Sequence, residues 1–331
     1  MRSKLNWSGW DHPVPDLSPE TMGALASPSA TVVIATRNRR DELRTAIQSA
    51  LAQTVPIEVL VIDDGSTDGT ADMVRAEFYG VRVIRHEDSR GYIVRRNEGA
   101  RLAAGPVVFS IDDDAVFSTR DIVKRTLEEF EPACVSAVAI PYVDIHVDRH
   151  VCQAAPDRQS VYATRQFKGT AYAVRRDVFA QVGGFRESLF HQGEEGDFCI
   201  RALAAGYVVR LGTADPIHHF ESPKRDFQRM DFFGVRNAVL FAWQNVPAPF
   251  VFLHMPVVVV RCLAHTWNPG RLRARFAGVL DGCRLCAAVP RDPVPASTYR
   301  LWRFLAKGPR PLSQLAPLTR PPSSRTRRRA S

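Results

Sequence analysis

From about residue 30 to residue 222, short apolar runs alternate with stretches whose apolar residues fall three and four positions apart. Thr31-Val-Val-Ile-Ala35 is β-branched and predicts a strand, and Leu43, Ala46, Ile47, Ala50 and Leu51 behind it predict a helix. Ile57-Glu-Val-Leu-Val-Ile62 predicts a second strand, closed by the turn Asp63-Asp64-Gly65-Ser66. Ala71, Val74 and Phe78 then mark a helix for which Asp68 is the expected N-cap. A third strand over residues 81–84, a helix end over 97–104, a fourth strand over 107–111 and a later short strand over 206–211 continue the alternation. Such alternation predicts an α/β fold, a mostly parallel sheet with helices on both faces. Ligands of such sheets sit beyond the carboxyl ends of the strands.

Those ends are where the acidic residues collect. The apolar run before residue 112 ends in Asp112-Asp113-Asp114, and the second strand ends in Asp63-Asp64. Three carboxylates at the mouth of a buried strand repel one another, and a divalent cation carrying a phosphate is the partner that relieves them. Two acidic loops at neighbouring strand ends would then face one crevice.

Charge divides the chain. Residues 222–331 carry 19 Lys/Arg against 4 Asp/Glu, whereas residues 1–221 carry 25 against 31, so an acidic front is joined to a basic back. The back contains thirteen residues without formal charge, 248–260, interrupted by Pro249 and Pro256 and followed by Arg261, Arg271, Arg273, Arg275 and Arg284. Residues 248–260 are too short to span a bilayer, and residues 248–284 fit either an anionic membrane surface or a helical subdomain with a solvated basic face. No nucleic-acid recognition module is present, so no nucleic acid partner is expected. Six scattered cysteines without a secretory signal imply reduced thiols, and Cys283 and Cys286 read as small apolar residues one helical turn apart. The first residues lack the apolar run of a signal peptide, which leads to the expectation of a cytoplasmic protein, peripheral at the inner face of the membrane if the basic region docks there.

Thr36-Arg37-Asn38-Arg39, Ser49-Ala-Leu-Ala-Gln53, Val61-Ile-Asp-Asp-Gly-Ser-Thr-Asp-Gly-Thr70 and Asn97-Glu-Gly99 precede the three aspartates. Val182-Gly-Gly-Phe-Arg-Glu187, Gly193-Glu-Glu-Gly-Asp-Phe-Cys-Ile-Arg201, Gly206-Tyr207, His218-His219 and Arg236-Asn237 follow them. In this order the segments resemble the family 2 nucleotide-sugar glycosyltransferases of the GT-A fold, over about residues 30–240. The resemblance implies a sheet of GT-A type and a donor that is a nucleotide-diphosphate sugar. It also implies a divalent metal, Mn²⁺ or Mg²⁺, and transfer with inversion to a glycan or lipid-linked acceptor, as in polysaccharide and cell-envelope synthesis.

Roles follow residue by residue. The resemblance places Thr36, Arg39, Asp63, Asp64, Asp112 and Asp113 at the nucleotide sugar, with Asp63 and Asp64 interchangeable as acceptors for a base N–H or ribose hydroxyl. Arg95 and Arg96 either reach phosphates or belong to a solvated helix face. Asp112 and Asp114 match the family's Asp-x-Asp metal site, with His219, in preference to His218, as a further ligand. The family's Glu-Asp pair reads Glu194-Glu195 here, a departure that leaves Glu195 as the expected base and Glu194 in reserve. It also keeps open a module that binds nucleotide sugar without turnover and docks through its basic half. Asp197 and Arg201 are expected to pair across one turn, and Gly169-Thr170 and residues 185–192 to line the acceptor cleft. The expected division is an N-terminal strap over 1–29 and a glycosyltransferase domain over 30–225, split into a nucleotide half (30–114) and an acceptor half (115–225). A basic helical region over 226–309 and an unstructured basic tail over 310–331 would complete the chain.

Overall fold

The computed structural model describes residues 28–221, 226–264 and 267–318. The strap expected over 1–29 therefore lies, but for residues 28 and 29, outside the described residues. The first half runs β1 (Ala30–Thr36), α1 (Arg40–Leu51), β2 (Ile57–Asp63), α2 (Thr70–Glu77), β3 (Arg82–Arg85), α3 (Tyr92–Leu102) and β4 (Val107–Asp112). Next come β5 (Ala115–Val116), α4 (Ile122–Glu128), β6 (Val135–Ala139), β7 (Tyr142–Asp144), β8 (Val151–Cys152), β9 (Tyr162–Thr164), β10 (Ala171–Arg175) and α5 (Arg176–Val182). After these follow α6 (Glu194–Ala204), β11 (Val208–Leu211), β12 (Ile217–His219), α7 (Phe227–Asn245), α8 (Phe250–Ala264), α9 (Pro269–Ala288), α10 (Ala296–Leu305) and β13 (Arg310–Pro311).

Strands β1, β2 and β4 read as unbroken apolar runs because helices cover both faces of the sheet, and all three are buried for most of their length. The sheet has nine strands in the order β13-β9-β11-β6-β10-β4-β1-β2-β3. β9 and β10 run against the rest; β10 separates the parallel set β4-β1-β2-β3 from the parallel pair β6-β11. Register matters most for the site: Thr36 lies beside Asp63, and Ala35 beside Asp112. The strand order turns around β1, so the crevice at its carboxyl end is the expected ligand position. Helix α3 lies close on β1 because Gly99 has no side chain; a Cβ there would stand 2.4 Å from Val33 Cγ1.

A second sheet, β5-β12-β7-β8, completes the crevice. It places His219 opposite Ala115, the residue after the aspartates, and beside Asp144.

The back half is helical, as its composition suggested. α9 meets α7 through Gly278 and Gly282, where added Cβ atoms would stand 2.4 Å from the Phe232 carbonyl oxygen and 2.9 Å from Val239 Cβ. Asp231 of α7 is buried between Arg271 and Arg275 of α9. Two expectations change here. Pro256 does not interrupt the apolar segment but sits inside α8; the carbonyl it leaves without a donor belongs to Phe252, on the exposed side where water can bond it. The tail expected to be unstructured from Arg310 begins with β13, an edge strand on β9, and Leu315 beyond it is buried. Pro311 is tolerated because an edge strand needs no donor on its outer side. Residues 319–331 lie outside the described residues.

Candidate active site

The three aspartates do three different things. Asp113 turns inward, accepting the Thr36 hydroxyl at 2.8 Å and an Arg39 N–H at 3.1 Å. Burial pushes its carboxyl up to about 7, Arg39 opposing and Asp114 adding to the rise. Thr36 and Asp113, both expected at the nucleotide, are buried and bonded to each other. Partly exposed Arg39 also bonds Asp114. Asp112 divides its oxygens: Oδ1 accepts from Arg96 at 2.6 Å, and Oδ2 lies 3.9 Å from His219 Nε2.

Asp112, Asp114 and His219 each offer a ligand atom, all within 4.8 Å of one another. His219 Nε2 stands 3.3 Å from Asp114 Oδ1, and its Nδ1 is 2.9 Å from Asp144 Oδ1. With Nδ1–H donated to Asp144, Nε2 turns a lone pair toward two carboxylates, an arrangement that a cation or a second proton must reconcile. Burial works to lower the His219 imidazole, but its bond to Asp114 and the charges of Asp112, Asp114 and Asp144 raise it above the ordinary value. Burial likewise works to raise Asp114, and His219 with Arg39 outweighs it and holds the carboxyl low. Two carboxylates and an oriented imidazole fit a divalent cation, so the cluster is a possible metal site. His219, not His218, is the histidine that reaches it. Asp144 was not legible in the sequence, because only the pairing of β7 with β12 brings it to His219.

Arg96 joins the aspartates to the glutamates. Buried in α3, it donates to Asp112, to the Gly169 carbonyl at 3.0 Å and to Glu194 at 3.3 Å. It does not belong to a solvated helix face. Glu194 is wholly buried, with the Tyr92 hydroxyl 3.4 Å from Oε2. Burial and Glu195 push its carboxyl up to about 8 against the pull of Arg96. Glu195 is half-buried, and its Oε1 accepts the Gly169 N–H at 3.0 Å. A side chain at residue 169 would place its Cβ 2.6 Å from Arg96 Nη1 and 2.8 Å from Glu195 Oε1, so the glycine is what lets both approach. One turn on, Asp197 pairs with Arg201 at 2.7 Å as expected, and also holds Arg186 and Asn245.

Two predictions arise from this cluster. Arg96→Leu leaves the Asp112 carboxylate without its buried cation and Glu194 and the Gly169 carbonyl without their donor, and should cost about 3 kcal/mol in urea unfolding; a loss below about 1 kcal/mol would contradict this linking role. Glu194 holds its proton in the folded chain up to about pH 8, against an ordinary value of 4.5. Between those values the folded state binds more protons than the unfolded one, so this group's stabilisation is complete below the lower value and lost as pH rises through the upper. Glu194→Gln should flatten the fall in unfolding midpoint between pH 5 and pH 8 relative to wild type, and parallel profiles would count against the shift.

In the Asp63-Asp64 turn both carboxylates are engaged by the protein itself. Asp64 accepts from the Ser89 hydroxyl at 2.6 Å, the Arg90 and Gly91 amides at 2.8 and 2.9 Å and Arg95 Nε at 2.6 Å. Both of its oxygens are taken, and their work is to hold the loop between β3 and α3. Asp63 is wholly buried, with Oδ1 on the Ser66 amide and Oδ2 4.0 Å from Arg85 Nε.

Residues 31–190 match Glycosyl transferase family 2. Over 99 residues the chain is 36% identical to the succinoglycan biosynthesis protein ExoU of Rhizobium meliloti (strain 1021), a span of 29% of each chain. Over 301 residues it is 26% identical to the pre-mycofactocin glycosyltransferase of Mycobacterium tuberculosis (strain CDC 1551 / Oshkosh), covering 82% of this chain and 62% of the relative. It thus spans less than two thirds of either relative's length. The mannosyltransferase PcManGT from Pyrobaculum calidifontis, solved with GDP-Man and Mn²⁺, superposes with a TM-score of 0.54 at 23% identity, covering 93% of this chain and 86% of that one. A likeness at that identity speaks for the fold, and at 93% of this chain it reaches beyond the matched segment. Residues 31–190 are therefore a family 2 glycosyltransferase domain, set in a GT-A fold.

Proposed function

We propose that this chain transfers a glycosyl group from a nucleotide-diphosphate sugar to a hydroxyl of a glycan or lipid-linked acceptor, with inversion at the anomeric carbon. The observation that carries the reading is the convergence of Asp112, Asp114 and His219 Nε2, with His219 turned by Asp144. These three residues would hold Mn²⁺ or Mg²⁺, and the cation would neutralise the departing diphosphate. Arg96 fixes Asp112 through Oδ1 and leaves Oδ2 directed at the cluster. Arg39, partly exposed beside Asp114, would be the cationic side chain available to the diphosphate.

Glu195 supplies the other half of the reaction. Its Oε1 is anchored on the Gly169 amide, which leaves Oε2 to take the proton of the acceptor hydroxyl. As that oxygen bonds to the anomeric carbon, the bond from the anomeric carbon to the diphosphate breaks and the nucleoside diphosphate leaves. Asp64 and Ser89 act on the nucleotide through the loop they hold, and Asp113 with Thr36 supports the floor beneath it. The test is release of nucleoside diphosphate from a panel of nucleotide sugars with Mn²⁺, with Mg²⁺ and with EDTA. Release from at least one donor, abolished by EDTA, is expected. Undiminished release in EDTA would remove the metal from the reading.

A further inference from the structure

No helix among the described residues is long and apolar enough to cross a membrane. Yet of the fifteen residues of α8 only Val251 is buried. Phe252, Leu253, Pro256, Val257 and Val260 recur along one face, and Phe252, Leu253 and Val260 are 77%, 74% and 64% exposed. On α9 the stripe through Gly278 and Gly282 is pressed against α7, so Phe276 and Leu280 point away from it, Leu280 at 66% exposure. Trp267, between the two helices, is 90% exposed. Apolar side chains gathered this densely on one surface mark a place where something else binds.

Charge identifies the occupant. Residues 248–284 hold five arginines and one acidic residue, Asp281, which is paired with Arg236 at 3.1 Å. Asp231 engages Arg271 and Arg275. Arg261, Arg273 and Arg284 form no ion pair among the described residues, so positive charge borders the apolar face without neutralisation. Between α7, α8 and α9 a groove of about 450 Å³ is lined by Val235, Ala238, Val258 and Cys262, with Arg261 and the Asp231–Arg275 pair at its polar side. An apolar face with arginines and a tryptophan at its margin is the composition of a helix lying in a membrane interface. At 1.5 Å per residue α8 is about 22 Å long, short of the roughly 30 Å hydrocarbon layer, so it lies on the bilayer and does not cross it.

We propose that α8 and the outward face of α9 dock this chain onto an anionic lipid bilayer as an interfacial, non-spanning pair. The docking is independent of sugar transfer, since its readout is binding. The test is sedimentation of the full chain with phosphatidylcholine vesicles containing or lacking phosphatidylglycerol, at low and high salt, alongside its mass in solution. Wild type should pellet with the anionic vesicles. Leu253→Asp with Val260→Asp should lower that partitioning about tenfold or more while keeping the thermal midpoint, since both side chains are exposed. Arg261→Glu with Arg273→Glu and Arg284→Glu should lower it on anionic vesicles and remove its salt dependence. Wild type left in the supernatant, or aspartate variants that pellet equally, would overturn the proposal. So would a dimer in solution that the aspartate pair dissolves and that binds no vesicles, which would make this face a contact between copies.

Discussion

Asp114→Asn should lower sugar transfer by about 10³-fold, because a catalytic cation supplies several kcal/mol of transition-state charge stabilisation and each 1.36 kcal/mol is a factor of ten. Asparagine keeps the volume and one acceptor oxygen, so packing around β4 and β5 should survive. What it removes is the charge that faces His219 Nε2 and Arg39. Two readouts separate loss of metal from loss of fold. Wild type should gain thermal stability on adding Mn²⁺, since a ligand that binds only the folded state stabilises it by mass action. The variant should melt as a folded protein and show no such gain. A variant that retains both the Mn²⁺ response and its turnover would move the metal away from Asp114.

Glu195→Gln is the second large effect. Loss of a positioned general base typically costs about 10²–10⁴-fold in rate. Glutamine can still accept the Gly169 amide through Oε1, so the loop and the donor site should stay in place. The expected pattern is donor affinity near that of wild type with kcat reduced by at least about 10²-fold. Glu195→Asp should fall between the two, because one methylene fewer draws the carboxylate back from Gly169 while keeping its charge. The neighbouring Glu194 is poorly placed for the same role: it is wholly buried and is held by Arg96 and Tyr92.

The difference between these two glutamates shows what sequence could and could not reveal. Strands β1, β2 and β4 were legible because a sheet covered on both faces needs unbroken apolar runs, and their carboxyl ends were legible because Asp63, Asp64 and Asp112 to Asp114 stand there. The helix that carries Glu194 and Glu195 was legible from the one-turn spacing of Asp197 and Arg201, but not which carboxyl is buried. That depends on Arg96, some hundred residues earlier in the chain. The resemblance set Asp64 at the base or ribose; its bonds to Ser89, Arg95 and two amides come from a loop whose sequence carries no such signal. Asp144 is one acidic residue among many until β7 pairs with β12. Strand β10 also went unread, since its direction against β4 depends on pairing and not on any local pattern. Pro256 marked a break by propensity, and the helix continues because the cost falls on a solvated carbonyl. Except at Pro256, long-range pairing was the missing information.

Nucleoside diphosphate release, measured side by side for wild type, Asp114→Asn and Glu195→Gln with Mn²⁺ and the donor that wild type prefers, together with the affinity of each for that donor, tests the site as a whole. The account predicts turnover by wild type alone at an appreciable rate, with Glu195→Gln still binding donor and Asp114→Asn no longer responding to the metal. Donor binding by all three without release by any would contradict it, and would leave a nucleotide-sugar-binding module in place of an enzyme.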